Sequence, residues 1–152
     1  TNRNTPVTSW FLDLNLVMGY WGKGAKRAYH HTAPVNTLYG LHESLVMLTE
    51  EGLENSWARH KENHLLLRDG LSKLGINYLV DESSRLPQLN SVYIPDGSDD
   101  AKVRSSLMND FNIEIGAGLG DLAGHIWRIG LMGHTSRKEN VEFCLSALEE
   151  AL

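Results

Sequence analysis

The sequence predicts an α/β chain of the α+β kind, with a small mixed or antiparallel sheet covered by helices. Three observations carry this. Several stretches repeat apolar residues three and four apart, the spacing of one helix face. Short runs rich in Ile, Val, Leu and Tyr are bounded by Gly, Pro and Asp, as strands are. Their order is two helices, two strands, a helix, two strands and a helix, which suits a small sheet with helices gathered on one face.

Residues 1–35 read apart from the rest. Trp10 to Met18 is apolar and closes at Gly19, and Tyr20-Trp21-Gly22-Lys23-Gly24 is loop-like. This arm has no partner surface of its own and reads as the tail of a preceding domain. A helix is predicted from about Asn36, with Leu38, Leu41, Leu45 and Leu48 at helical spacing, Pro34 at its entry and Gly52 interrupting it. A longer helix is predicted from about Leu53 to Leu74, stopped by Gly75, its inward stripe being Leu53, Trp57, His60, His64, Leu67, Leu71 and Leu74. Strands are expected at 76–80 and 91–94, the second closed by Pro95-Asp96-Gly97. A helix over 99–110 turns Val103, Leu107 and Phe111 inward. A third strand at 112–115 precedes a bend carrying Gly116, Gly118, Gly120 and Gly124. His125 to Leu131 alternates as a fourth strand. The final helix, 137–152, points Val141, Leu145, Leu148 and Leu152 at the core.

Bulk properties narrow the function classes. An apolar fraction of 41% and a charged fraction of 22% are ordinary for a globular protein. The net charge of −5 comes with no stripe of Lys and Arg, which argues against nucleic acid and anionic membrane as partners. A single cysteine, Cys144, excludes an internal disulfide and fits a reducing, intracellular compartment. No apolar run has the length of a membrane span. The first residues do not form a signal peptide, the last carry no sorting tripeptide, and both ends read as cut.

Few residues invite chemistry. Cys144 sits beside Leu145 on a helix and reads as a packing residue. His60 and His64 are four apart, a metal-ligand spacing, yet no third ligand is apparent and both lie on an apolar stripe, so packing is the preferred reading. The bend Gly116-Ala117-Gly118-Leu119-Gly120 could cradle a phosphate through its N–H groups, but it leads into a strand, and a tight turn is preferred. Arg128 lies inside Ile126-Trp127-Arg128-Ile129. It either faces a ligand carboxylate, which a planar guanidinium grips with two parallel hydrogen bonds, or sits on the solvent face of an edge strand. Tyr29-His30-His31-Thr32 is a polar, aromatic cluster whose hydroxyls could serve a phosphate, or an ordinary loop.

Together these segments resemble the pyridoxal-phosphate-dependent aminotransferases of class V, the alanine–glyoxylate / serine–pyruvate family. The resemblance rests on Tyr29 to Val35, Leu38 to Leu45, Gly52 to Trp57, Arg85-Leu86-Pro87, Ile113 to Gly120, and Trp127 to Gly133, in order and in register. It implies the C-terminal portion of a fold-type-I transferase, with 1–35 the end of the large cofactor-binding domain and an interface arm, and 36–152 the small C-terminal domain. It implies that Arg128 binds the substrate carboxylate. It also implies that Tyr29 and Thr32 reach the phosphate of pyridoxal 5'-phosphate in the other subunit of a homodimer. The Schiff-base lysine, the aspartate partner of the pyridine nitrogen and the ring-stacking aromatic belong to the missing N-terminal part, and none of the six lysines here falls at the matching position. Family members often carry two glycines where this chain has Ala117-Gly118. The implied reaction moves an amino group from alanine or serine to glyoxylate or another 2-oxo acid, and it would not run on this portion alone. The compartment, cytoplasm, peroxisome or mitochondrion, stays open. Two other readings compete: a non-catalytic amino-acid-binding or interaction module, and a lyase or decarboxylase of the same fold.

Overall fold

Helices and strands fall largely where the spacing of apolar residues puts them. The computed structural model describes residues 4–20 and 28–152. Residues 21–27, most of the expected loop after Gly19, lie outside the described residues. The chain divides into two compact units, Thr1–Met47 and Leu48–Leu152.

In the first unit, Asp13 caps a short helix, α1 (Leu14–Val17), its carboxylate accepting from the Asn15 N–H at 2.9 Å. A 3-10 turn, Met18–Tyr20, follows. Helix α2 (Val35–Glu51) starts directly after Pro34, where a missing N–H costs nothing. It has no buried residue, and Val35, Leu38, Leu41 and Leu45 are all exposed.

The second unit holds helix α3 (Leu53–Lys73), strand β1 (Leu89–Tyr93), helix α4 (Asp100–Phe111), strands β2 (Gly116–Ala117) and β3 (Ile126–Gly130), and helix α5 (Lys138–Ala151). The sheet is antiparallel in the order β1-β3-β2. Alternation along β1 and β3 sends Asn90, Val92, Trp127 and Ile129 to one face. There they meet Leu67 and Leu71 of α3, Val103 and Leu107 of α4, and Val141, Cys144 and Leu148 of α5. Each fully buried aliphatic side chain in such a cluster contributes about 1.5–3 kcal/mol. Helix α4 begins at Asp99, which accepts from the Lys102 N–H at 3.1 Å, and stops at Asn112 in the left-handed region.

Three expectations need correction. The inward stripe of α3 begins with Ser56, His60 and Asn63, while Leu53 and Trp57 are 54% and 61% exposed. Polar residues take the buried places because each finds a partner: His60 and Asn63 bond to the 133–136 loop. At the far end of α5, Leu152 is exposed and Ala147 fills the inward place. The strands expected at 76–80 and 112–115 are not regular strands. Residues 77–79 run beside β1 through Leu79 N–H to Ser91 O and Tyr93 N–H to Asn77 O, and form one isolated bridge, Tyr78 to Val92. Asn112 is still the cap of α4, and Ile113 and Ile115 pack on the core without a strand partner, so pairing starts only at Gly116.

A polar knot ties these parts together. Asn90 is buried, and its Oδ1 accepts from His64 Nδ1 at 2.7 Å and from the Tyr78 hydroxyl at 3.0 Å. Its amide donates to the carbonyls of Pro87 and Ile129, both at 3.3 Å. Burial pushes the Tyr78 phenol up to about 12, against the pull of Arg85 and Arg68. The folded state therefore keeps this proton where the unfolded chain, with a phenol near 10, has released it. The stability Tyr78 contributes is present below pH 10 and is lost as pH rises from 10 to about 12. An alkaline titration should show one phenolate appearing together with the loss of native circular dichroism. A full set of tyrosines ionising near pH 10 in folded protein would count against it.

Candidate functional site

Two groups of side chains, one in each unit, stand ready to bind something. In the second unit the group centres on Arg128. Trp127 and Ile129 turn to the core, and the Trp127 indole N–H donates to Asp100 at 2.8 Å. Asp100 is further held by Arg104, whose guanidinium and the indole keep its carboxyl below the usual range. Pinning Trp127 inward turns Arg128 to the opposite face. β3 is the central strand, so Arg128 is not on an edge strand. Its cross-strand neighbours are Ser91 of β1 and Gly116 of β2, both small.

The half-buried guanidinium lies over Gly116, where an added Cβ would stand 3.2 Å from Nη2. Its Nε donates to the Ala117 carbonyl at 2.8 Å. Among the described residues no carboxylate pairs with Arg128, and its two Nη groups have no protein acceptor. The arginine is thus fixed by one bond and leaves its fork free.

The glycine bend differs from a simple turn. Gly116 and Ala117 are strand, and positive φ occurs only at Gly120 (56°) and Gly124 (76°). Gly118 is needed for close approach: a Cβ there would overlap the Leu122 carbonyl. The Gly118 N–H bonds Ile126 O at 3.0 Å, so that group is not available to a phosphate.

In the first unit, the Tyr29 hydroxyl and Thr32 Oγ1 meet at 2.7 Å. Tyr29 is 77% exposed and Thr32 is also exposed, three residues before α2 begins. Between them, the His30 ring is buried against Trp10, with centroids 4.1 Å apart and Nε2 on the Trp10 carbonyl at 3.0 Å. His31 packs on Phe11 at 4.6 Å. The imidazoles thus face inward and the hydroxyls outward. Two hydroxyls side by side ahead of a helix N-terminus suit an oxyanion with several acceptor oxygens.

The remaining candidates are structural. His60 Nδ1 bonds the Ser56 carbonyl at 2.6 Å, and its Nε2 accepts the Gly133 N–H at 3.0 Å. His64 bonds Asn90. Among the described residues, no group of three or more His, Cys, Asp or Glu could hold a metal ion. Cys144 is buried and burial pushes its thiol up to about 11. No helix of the described residues is long and apolar enough to cross a membrane. Sequence reasoning missed Asn90 and the Ala117 carbonyl. An Asn between Leu89 and the inward Val92 was the visible signal for the first; a backbone acceptor leaves none.

No family model matches the chain. Curated relatives do, over nearly its whole length. It is 44% identical over 153 residues to the alanine–glyoxylate aminotransferase of Callithrix jacchus, a match covering 99% of this chain and 37% of the relative. It is 42% identical over 149 residues to the (S)-ureidoglycine–glyoxylate transaminase of Bacillus subtilis, covering 98% of this chain and 35% of the relative. The crystal structure of an alanine–glyoxylate aminotransferase from Nostoc sp. superposes with a TM-score of 0.92 at 48% identity, over 99% of this chain and 39% of that one. The chain belongs to the class V aminotransferases. It matches their C-terminal part and spans little more than a third of the length of these relatives. Its mixed α/β unit with a three-stranded antiparallel sheet is that of a pyridoxal-phosphate-dependent aminotransferase.

Proposed function

We propose that this chain supplies the small domain and the interface arm of a transaminase. That enzyme moves an amino group from alanine or serine to glyoxylate or another 2-oxo acid. Residues 1–35 would close the large domain and 36–152 would form the small one. The observation that carries the reading is the fork of Arg128 on the central strand, anchored at Nε and, among the described residues, without an acceptor at either Nη group. Amino-acid donors and 2-oxo-acid acceptors share one feature, a carboxylate. A fixed guanidinium holds it in a plane through two charge-assisted hydrogen bonds, and so sets where the α-carbon lies.

The hydroxyls of Tyr29 and Thr32 suit the phosphate of pyridoxal 5'-phosphate. When bound, that cofactor supplies the electron sink for breaking bonds at the α-carbon. The residues of this chain bind and orient. None of its lysines matches the family's cofactor lysine, so proton movement at the α-carbon would fall to the rest of the enzyme. The apolar surface of α2, exposed along Val35, Leu38, Leu41 and Leu45, suits burial against the N-terminal part or a second subunit.

The test is a coupled assay of pyruvate formation from L-alanine and glyoxylate. The complete enzyme should turn over and the isolated chain should not. A complete enzyme without transamination of any amino acid would overturn the proposal. Tyr29→Phe combined with Thr32→Val should loosen the cofactor by about 100-fold or more, since each of the two hydrogen bonds to a charged group is worth about 1.5 kcal/mol or more. Cofactor retained through dialysis as in the parent enzyme would count against the phosphate role.

A further inference from the structure

The Tyr29 and Thr32 hydroxyls are exposed, and neither side chain is packed in place. Something else must hold them 2.7 Å apart. The residues between them are gripped from elsewhere in the unit. The Tyr20 hydroxyl accepts the His30 N–H at 2.7 Å and the His31 N–H at 2.8 Å, and donates to the His31 carbonyl at 2.7 Å. A hydroxyl has one hydrogen and two lone pairs, and all three are committed to this dipeptide. The bonds span ten and eleven residues, so they fix the 30–31 backbone against a separate segment of the chain.

We infer that Tyr20 is a positioning residue. Its hydroxyl clamps the His30–His31 backbone so that the hydroxyls flanking it, Tyr29 and Thr32, converge on one phosphate. This rests on the reading that Tyr29 and Thr32 hold the cofactor phosphate. The two imidazoles help by packing on Trp10 and Phe11 and through the His30 Nε2 bond to the Trp10 carbonyl, but those contacts hold the side chains and not the 30–31 peptide groups. Among the described residues, only the phenol oxygen bonds the 30–31 peptide units themselves. Without it, two donors that are pre-set would have to be ordered each time a phosphate binds.

Tyr20→Phe tests this, because it removes one oxygen and keeps the ring that packs on His31. The complete enzyme is freed of cofactor and titrated with pyridoxal 5'-phosphate and, separately, with pyridoxal, which lacks the phosphate. The expected result is about a tenfold rise in the dissociation constant of pyridoxal 5'-phosphate, equivalent to about 1.4 kcal/mol, with pyridoxal binding unchanged. Equal weakening of both ligands would mean a general structural role and overturn the clamp. So would no change for either ligand while Tyr29→Phe/Thr32→Val weakens the phosphate-bearing one. If that double variant binds both ligands like the parent enzyme, the phosphate reading itself fails and takes the clamp with it.

Discussion

Replacing Arg128 with Ala is expected to raise the amino-donor concentration at half-maximal rate by about 100-fold or more, with cofactor retained. The size follows from the bonds at stake. A bidentate guanidinium–carboxylate pair makes two charge-assisted hydrogen bonds, each worth about 1.5–3 kcal/mol when its partner is otherwise left unpaired. The stability cost should be small. Arg128 is half-buried and, among the described residues, pairs with no carboxylate, so its removal orphans only the Ala117 carbonyl. Lys at this position should restore little. Its single ammonium cannot both bond Ala117 and present two parallel donors. The check is steady-state kinetics with L-alanine and glyoxylate varied in turn, beside the absorbance of bound cofactor. Both substrates should lose affinity together, because both present a carboxylate to the same fork. Unchanged dependence on either would remove Arg128 from this role.

Helices were legible because their burial is periodic: α3, α4 and α5 sit within a residue or two of where the apolar spacing places them. The sheet was less so. Ile115 is buried and Ile113 partly buried without pairing, and such a run looks the same in sequence whether or not a strand lies beside it. Tyr78 forms a single bridge, to Val92, and its hydroxyl donates to Asn90. The stripe of α3 misled for a different reason. Leu53 and Trp57 are apolar and exposed, while Ser56, His60 and Asn63 are polar and buried; the 133–136 loop offers His60 and Asn63 partners that sequence spacing does not show. At the site, residue type alone left Arg128 open between ligand and solvent. What sharpens that choice is topology: a central strand, two small neighbours, and an anchor on a backbone carbonyl. Tyr29 and Thr32 were visible as hydroxyls, but their convergence depends on Tyr20, which no local pattern links to them.

The other large effect is expected at Asn90. Asn90→Leu should cost about 3 kcal/mol or more of stability, near the top of the range for single substitutions. The side chain is buried, and its amide and carbonyl make four hydrogen bonds, to His64, Tyr78, Pro87 and Ile129. Leu has the same branched outline, though it is bulkier, and answers none of them. His64 Nδ1 must carry a hydrogen, because the Asn90 Oδ1 it faces can only accept. The substitution would leave that N–H and the Tyr78 hydroxyl without acceptors in a buried setting, each at about 1–3 kcal/mol. Tyr78→Phe is the sharper comparison. It removes one donor and leaves Asn90 its other three partners, so it should cost only about 1 kcal/mol. It should also abolish the alkaline transition between pH 10 and about 12, which belongs to that phenol. Denaturant midpoints of the two variants, measured at neutral pH, give the comparison. If Asn90→Leu unfolds no more easily than Tyr78→Phe, the amide is not what joins β1, β3, α3 and the 77–79 segment. The apolar core around Val92 and Leu67 would then be holding the sheet to α3 unaided.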